Sequence, residues 1–253
     1  MKFKLRSAYT LCLLFTVTVQ FAIAQAPGKP TGLKCEYLVN PIGIDASNPR
    51  LTWQLNDARQ GAVQKAYSVY MGTDSVEVSK ANENLDLTGK VTSASNLITY
   101  KGKALTPFTK YFWRVDLWDK DDKCISSSIS SFETGMMNSR NWQGSWIDDN
   151  HNINTKPAPY FRKTFDAAKK IRSARAYIAV AGLYELYING QKTGNHRLDP
   201  MYTRFDRRTL YVTYDVTAQL QQGKNAIGVL LGNGWYNHQS SSIWNFDKAP
   251  WRN

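Results

Sequence analysis

The residues of this chain that could act on a ligand lie in two short segments of its second half. Glu185 stands just before an Asn-Gly pair, and Asn233, Trp235 and Tyr236 stand on a glycine-flanked loop. Glycine leaves room for a ligand to approach the backbone, and Trp and Tyr offer flat faces with a polar group at one edge. The two segments therefore predict loops that present aromatic and amide groups to a ligand.

Catalysis by these residues is not expected. Hydrolysis by an acid and a base takes two carboxylates held a fixed distance apart. Only Glu185 lies in the ligand-facing segments, and the sequence has no Gly-x-Ser-x-Gly elbow and no phosphate-binding loop. The candidate carboxylates are Asp148, Asp149, Glu185, Asp199, Asp206 and Asp215.

Strand patterns surround the two segments. Residues 175–188 have the pattern of strands that run into Asn189-Gly190, the strongest short hairpin signal because both residues tolerate positive φ. The apolar run 226–231 predicts a buried strand, and a short helix is possible over 216–222. Together these elements predict a jelly-roll-like β-sandwich over residues 141–253.

The first half has the pattern of an immunoglobulin or fibronectin type III-like sandwich over residues 27–136. Residues 50–55 alternate, with their apolar side chains on one face, and Tyr111 begins an aromatic strand from which its hydroxyl can bond back to the preceding corner. This half shows no evident chemistry and is expected to act as a spacer. The chain is therefore predicted to be all-β, with the immunoglobulin/fibronectin type III-like sandwich followed by the jelly-roll-like one.

Four blocks of the second half follow one another in a distinctive order. They are YELYING at 184–190, LDPMYTRFDRR at 198–208, YVTYDVT at 211–217 and GKNAIGVLLGNGWY at 223–236. The blocks resemble the N-terminal β-domain of bacterial α-L-rhamnosidases of glycoside hydrolase family 78, and the resemblance covers roughly residues 29–253. It implies that the hydrolytic site lies in a helical (α/α)6 barrel beyond residue 253. The chain would then be an accessory N-terminal part that is truncated within its second sandwich and inactive by itself.

The resemblance also implies a carbohydrate site, because some members of this family bind rhamnose with a calcium ion on this β-domain. The residues carried over for carbohydrate binding are Tyr184, Glu185, Tyr202, Asn233, Trp235 and Tyr236. Glu185 and Asn233 would be the Ca2+ ligands, although this chain has no adjacent Asp-Asn pair at positions 184–185. Two alternatives stay open: the block serves packing against the barrel, or the chain is a stand-alone carbohydrate-binding or adhesion module whose partner is a rhamnose-containing glycan.

The N-terminus has the pattern of a secretory signal peptide over residues 1–24. Lys2, Lys4 and Arg6 precede an apolar run, and Ala22-Ile23-Ala24 is a small-x-small cleavage site. The apolar run is short for a membrane span. We therefore expect a periplasmic or secreted protein without a membrane anchor after cleavage.

Charge and cysteine content narrow the remaining functions. The net charge is +12, but the Lys and Arg residues are scattered and no recognition motif occurs, so a nucleic-acid partner is not expected. Beyond the signal peptide the cysteines are Cys35 and Cys124. An exported protein permits a disulfide between them, and two buried thiols are the alternative.

Overall fold

The computed structural model describes residues 26–85, 87–150, 158–205 and 207–236. The predicted signal peptide and the segment 237–253 lie outside the described residues. The described chain forms two β-domains, which confirms the predicted fold class. Within these residues no helix has the length and apolar character needed to cross a membrane.

The first domain is a sandwich of two antiparallel sheets. The strands are β1 (Pro30–Cys35), β2 (Arg50–Leu55), β3 (Gln64–Gly72), β4 (Val91–Thr92), β5 (Leu97–Thr99), β6 (Lys110–Asp119), β7 (Cys124–Ser126) and β8 (Ser130–Glu133). One sheet has the order β1-β2-β5, and in the other β3 and β6 lie between β4 and β7, with β8 also pairing with β6.

Two tryptophans fill the space between these sheets. Trp53 of β2 and Trp113 of β6 are at most 1% exposed, and alternation along each strand places them on the inner face. The indole Nε1 of Trp53 donates to Oε1 of Gln64 at 2.9 Å, so its polar edge is satisfied in the core. The Tyr111 hydroxyl accepts from the Thr106 amide at 2.9 Å, which confirms the predicted bond back to the corner.

Helix in the described residues is confined to short pieces. α1 (Ser75–Ser79) begins after Asp74, whose carboxylate accepts from the amides of Val76 and Glu77. In the segment 216–222, where the sequence allowed a short helix, a single 3-10 turn spans Thr217–Gln219.

The strands of the second domain are β9 (Tyr160–Ala167), β10 (Arg175–Ala179), β11 (Leu183–Ile188), β12 (Gln191–Lys192), β13 (Tyr211–Asp215) and β14 (Gly223–Gly232). They form a four-stranded antiparallel sheet of order β12-β11-β14-β9 and a two-stranded sheet of β10 and β13. The core of this domain contains Leu186, Ile188, Val180 and Val216.

The predicted hairpin turn is confirmed between β11 and β12. Asn189 and Gly190 both have positive φ, 49° and 81°. β12 pairs with the end of β11 in register Tyr187 opposite Lys192 and Ile188 opposite Gln191. This turn therefore fixes which face of β11 packs on the core.

The two domains meet in a polar contact centred on a buried ion pair. Arg175 of β10 donates from Nε and Nη2 to the two carboxylate oxygens of Glu133, each at 2.8 Å. The side chains are 15% and 9% exposed. Such a two-pronged geometry fixes orientation as well as distance.

A second connection of the two domains passes through Tyr211 of β13. Its hydroxyl donates to Oδ1 of Asp45 at 2.7 Å and accepts from the Met136 amide at 2.9 Å. A Cβ at Gly135 would lie 2.1 Å from this hydroxyl oxygen, so only glycine leaves room for it. The first domain is therefore held in a defined orientation on the second, and its expected role as a spacer stays a prediction.

The two cysteines do not form a disulfide in this structure. Cys35 is the last residue of β1 and is buried, and burial together with the neighbouring Glu36 carboxylate raises the pKa of its thiol to about 12. Cys124 is exposed at the start of β7. Of the two thiols that were expected to be buried if no disulfide formed, only that of Cys35 is buried.

Candidate functional site

An open pocket lies where β11 begins and β14 ends. Leu183 pairs with Gly232 there, and Gly182 has φ +121°, with space for a Cβ closed by the Gly232 carbonyl oxygen at 2.7 Å. The pocket has a volume of about 580 Å³. We name it the aromatic pocket; its walls include Leu183, Leu198, Met201, Tyr202, Phe205 and Trp235.

The rings of the aromatic pocket pack edge to face. Tyr202 lies 6.5 Å from Trp235 and 5.7 Å from Phe205 between ring centroids, and Phe205 lies 5.4 Å from Tyr236. Tyr202 and Trp235 are each 48% exposed, so a large part of each ring surface reaches solvent. Edge-to-face packing supports the rings, and partly exposed aromatic surface of this kind suits a flat apolar ligand face.

The loop that carries Tyr202 is anchored through Asp199. The Asp199 carbonyl accepts from the Tyr184 amide at 3.2 Å, and its carboxylate binds Nδ1 of His196 at 2.7 Å. The Tyr214 hydroxyl donates to the same carboxylate at 3.3 Å. Asp199 therefore holds the pocket loop on the sheet.

The structure corrects the assignment of Tyr184 as a sugar-stacking residue. Its side chain is 7% exposed, and its hydroxyl lies 3.0 Å from that of Tyr214. Burial and this hydroxyl contact raise the pKa of Tyr184. Tyr184 shares the inner face of β11 with Leu186 and Ile188, so it supports the pocket loop from within the core.

Glu185 lies on the opposite face of β11, and its carboxylate already has hydrogen-bond partners within the protein. Its carboxylate accepts from Nζ of Lys192 and from the Tyr187 hydroxyl, the latter at 2.7 Å. The Lys192 hydrogen bond, followed by that of Tyr187, lowers the pKa of Glu185. Glu185 is not among the residues that line the aromatic pocket.

The pairing of β11 with β14 sets the predicted calcium ligands Glu185 and Asn233 apart along the sheet, and calcium binding stays a prediction. Glu185 pairs with Leu230 across the sheet, and Asn233 follows three residues later, about 10 Å further along a strand. Calcium takes six to eight oxygen ligands. Among the described residues no cluster of three acidic, His or Cys side chains suits a metal ion.

Three of the candidate carboxylates in the second domain each have a basic partner of their own. Glu185 pairs with Lys192, Asp199 with His196, and Asp215 with Arg175 at 3.1 Å. Asp206 lies outside the described residues. Of the predicted site residues, the structure thus brings Tyr202, Trp235 and Tyr236 together, and it separates Glu185 from them. Leu198, Met201 and Phe205 were missed; they lie in the same block, 198–208, that carries Tyr202.

This arrangement defines a two-domain, all-β module in which an immunoglobulin-like sandwich is fixed to a second sandwich that carries an aromatic pocket. Residues 30–138 match the family model for the Rha78A-like N-terminal immunoglobulin domain, and residues 169–253 match that for the α-L-rhamnosidase N-terminal domain. The two domains of this chain are therefore those of the N-terminal region of the α-L-rhamnosidase family.

Individual relatives agree with this assignment. An α-L-rhamnosidase of Formosa agariphila is 31% identical over 80% of this chain and 24% of its own length, and one of Alteromonas sp. is 29% identical over 92% and 27%. Among solved structures, α-L-rhamnosidase from Dictyoglumus thermophilum superposes with a TM-score of 0.78 at 40% identity, over 84% of this chain and 26% of that one. The Aspergillus terreus enzyme gives 0.72 at 26% identity, over 86% and 25%. This chain thus spans about a quarter of the length of its relatives.

Proposed function

We propose that this chain is the accessory N-terminal part of an exported α-L-rhamnosidase that acts on rhamnose-containing glycans, and that it does not hydrolyse them by itself. The observation that carries this proposal is the match of both domains, in order, to N-terminal domains of that family. The pattern of residues 1–24 supports export.

The carboxylates of the described residues support the inactivity of the isolated chain. An acid and its partner flank the scissile bond at a separation of about 5 to 9.5 Å, and both face the substrate. Here Glu185, Asp199 and Asp215 are each bound to a different basic side chain. No two of them line the aromatic pocket.

The first prediction concerns export and activity together. The full chain, expressed in a Gram-negative host, is expected in the periplasmic fraction and is expected to give no hydrolysis of an aryl α-L-rhamnoside above a blank. The physical reason is that no second carboxylate of the described residues is positioned beside Glu185. Release of the aryl group, followed by absorbance, measures it.

A Glu185→Gln variant provides the control for this assay. Turnover by the wild-type chain that disappears in Glu185→Gln would refute the inactivity, because it would assign a catalytic carboxylate within this chain. Recovery of the chain with residues 1–24 still attached, in the cytoplasm, would refute export.

A second function, carbohydrate binding, is favoured by the aromatic pocket. Trp235 and Tyr202 offer partly exposed rings at one opening, and apolar faces of sugar rings pack on such surfaces. Sugar hydroxyls that leave water need hydrogen-bond partners, which Asn233 and Tyr236 could supply beside the rings. A shallow site of this kind binds weakly, with a Kd of about 0.1 to 1 mM.

The second prediction tests this site with L-rhamnose. Wild-type chain is expected to show calorimetric heat and a change in tryptophan fluorescence over this range, and Trp235→Ala is expected to weaken binding at least about tenfold, or 1.4 kcal/mol. Since Glu185 and Asn233 are apart, added Ca2+ should leave the affinity unchanged.

Trp146→Ala is the matched control, because Trp146 is 68% exposed and does not line the pocket. It should bind L-rhamnose as the wild type does. A folded wild-type chain that gives no signal up to tens of millimolar sugar would show that the pocket serves packing alone.

A further inference from the structure

A second opening lies at the junction of the two domains, beside the Arg175–Glu133 ion pair. We name it the junction cleft; its volume is about 700 Å³. Phe108, Lys110 and Glu133 line it from the first domain, and Arg172 and Arg175 are among the residues that line it from the second. Clefts between domains are common places for ligands because they are concave without any rearrangement.

The charge of the junction cleft is positive where it is open to a ligand. Arg175 forms ion pairs with both carboxylates of the cleft, with Glu133 at 2.8 Å and with Asp215 at 3.1 Å. Lys110 and Arg172 are exposed, and Lys110 is one of the cations that act electrostatically on Asp215. Together with Arg175, three cations line the cleft against two carboxylates, so one net positive charge remains for an anion.

An aromatic wall stands next to these cations. The rings of Phe108 and Tyr177 lie 5.4 Å apart between centroids at 75°, and Phe108 is 48% exposed. Phe108 has φ 55°, an uncommon conformation for a bulky side chain, and its amide donates to the Gly135 carbonyl at 3.2 Å. The loop thus holds an apolar ring towards solvent at the rim of the cleft.

We propose that the junction cleft binds an anionic sugar unit, with a carboxylate or a sulfate ester as the charged group. Lys110 and Arg172 would pair with the anion, and Phe108 would pack on the ring. The hydroxyl of Ser173, which also lines the cleft, suits a sugar hydroxyl, whereas that of Thr217 is engaged with the backbone of Ala174. The choice of a sugar as the ligand rests on the proposed contact of this protein with glycans.

Calorimetry on the full chain tests this site with four probes: D-glucuronate, D-glucose 6-sulfate, D-glucose and inorganic sulfate. We expect at least one of the two anionic sugars to bind with a Kd on the order of 1 mM. D-glucose, which lacks the charge, should bind at least tenfold more weakly. Inorganic sulfate, which lacks the sugar ring, should also bind at least tenfold more weakly. The two anionic probes distinguish a uronate from a sulfate ester as the charged group.

The double variant Lys110→Gln/Arg172→Gln is expected to weaken binding of the anionic sugar at least tenfold. Lys101→Gln/Arg162→Gln removes the same charge from exposed positions outside the cleft and should change the Kd less than twofold. Equal loss in both double variants, equal binding of D-glucose, or equal binding of inorganic sulfate would overturn the proposal. So would the absence of binding by either anionic sugar. Because the proposed function is measured by hydrolysis and export, its failure is distinguishable from this one.

Discussion

Glu133→Ala is expected to lower the free energy of unfolding by about 3 kcal/mol. The substitution leaves the guanidinium of Arg175, which is only 15% exposed, without its two-pronged partner at the domain contact. Removal of one member of a buried ion pair typically costs about 3 to 5 kcal/mol, because the other charge stays buried. We take the lower end, since Asp215 still contacts Arg175 at 3.1 Å. Urea denaturation followed by tryptophan fluorescence measures the change.

Two further variants separate the ion pair from a general effect of the substitution. The double variant Glu133→Leu/Arg175→Leu should recover at least half of the loss, because it leaves no buried charge unpaired. Glu77→Ala removes an exposed partner of Lys80 and should leave the free energy of unfolding close to that of the wild type. A loss below about 1 kcal/mol for Glu133→Ala would mean that the domains are not held by this pair.

The contact between the domains fixes how the first domain is placed on the second. Arg175 and Tyr211 connect it to β10 and β13, the two strands of the smaller sheet in the second domain. Asp45 additionally accepts from the Met137 amide at 2.7 Å, so the connecting segment is bound as well. The first domain therefore holds one side of the second domain, and the junction cleft exists only because the two are held together.

The parts of the fold that could be predicted from sequence depend on local signals. Asn189-Gly190 allows positive φ at both turn positions, and this specified the hairpin without any knowledge of its partners. Tyr111 follows a Leu-Pro corner at a fixed spacing, and its hydroxyl bonds back as expected. The start of α1 carried a comparable signal, Asp74 followed three residues later by Glu77, which the prediction overlooked.

The candidate site was harder to predict from the sequence, because it depends on which face of a strand is covered by the rest of the fold. Tyr184 alternates in step with Leu186 and Ile188, and this period of two would have placed it in the core. The ion pair of Arg175 and Glu133 has no such signal, since 42 residues separate its members. Only the packing of the two domains brings them together.

A buried amide network provides the last prediction, since it fixes the start of the strand whose other end carries the aromatic pocket. Asn225 is 3% exposed. Its Oδ1 accepts from the Asn189 side chain and from the Gln221 amide, each at 2.9 Å. Its Nδ2 donates to the carbonyls of Gln221 and Gly223 at 2.7 and 2.8 Å. Asn189 in turn accepts from the Ala226 amide at 2.8 Å, so the network joins the hairpin turn to β14.

Asn225→Ala is therefore expected to lower the free energy of unfolding by about 3 kcal/mol, because each polar group left buried without a partner costs about 1 to 3 kcal/mol. Asn225→Asp keeps the shape but loses both donors, so it should be at least as destabilising. Asn84→Ala, at an exposed position, should stay within about 0.5 kcal/mol of the wild type. Urea denaturation of the three variants measures this, and a loss below about 1 kcal/mol for Asn225→Ala would contradict it. Because a shift of β14 by one residue would turn its side chains to the opposite face, this network also keeps Trp235 at the rim of the aromatic pocket.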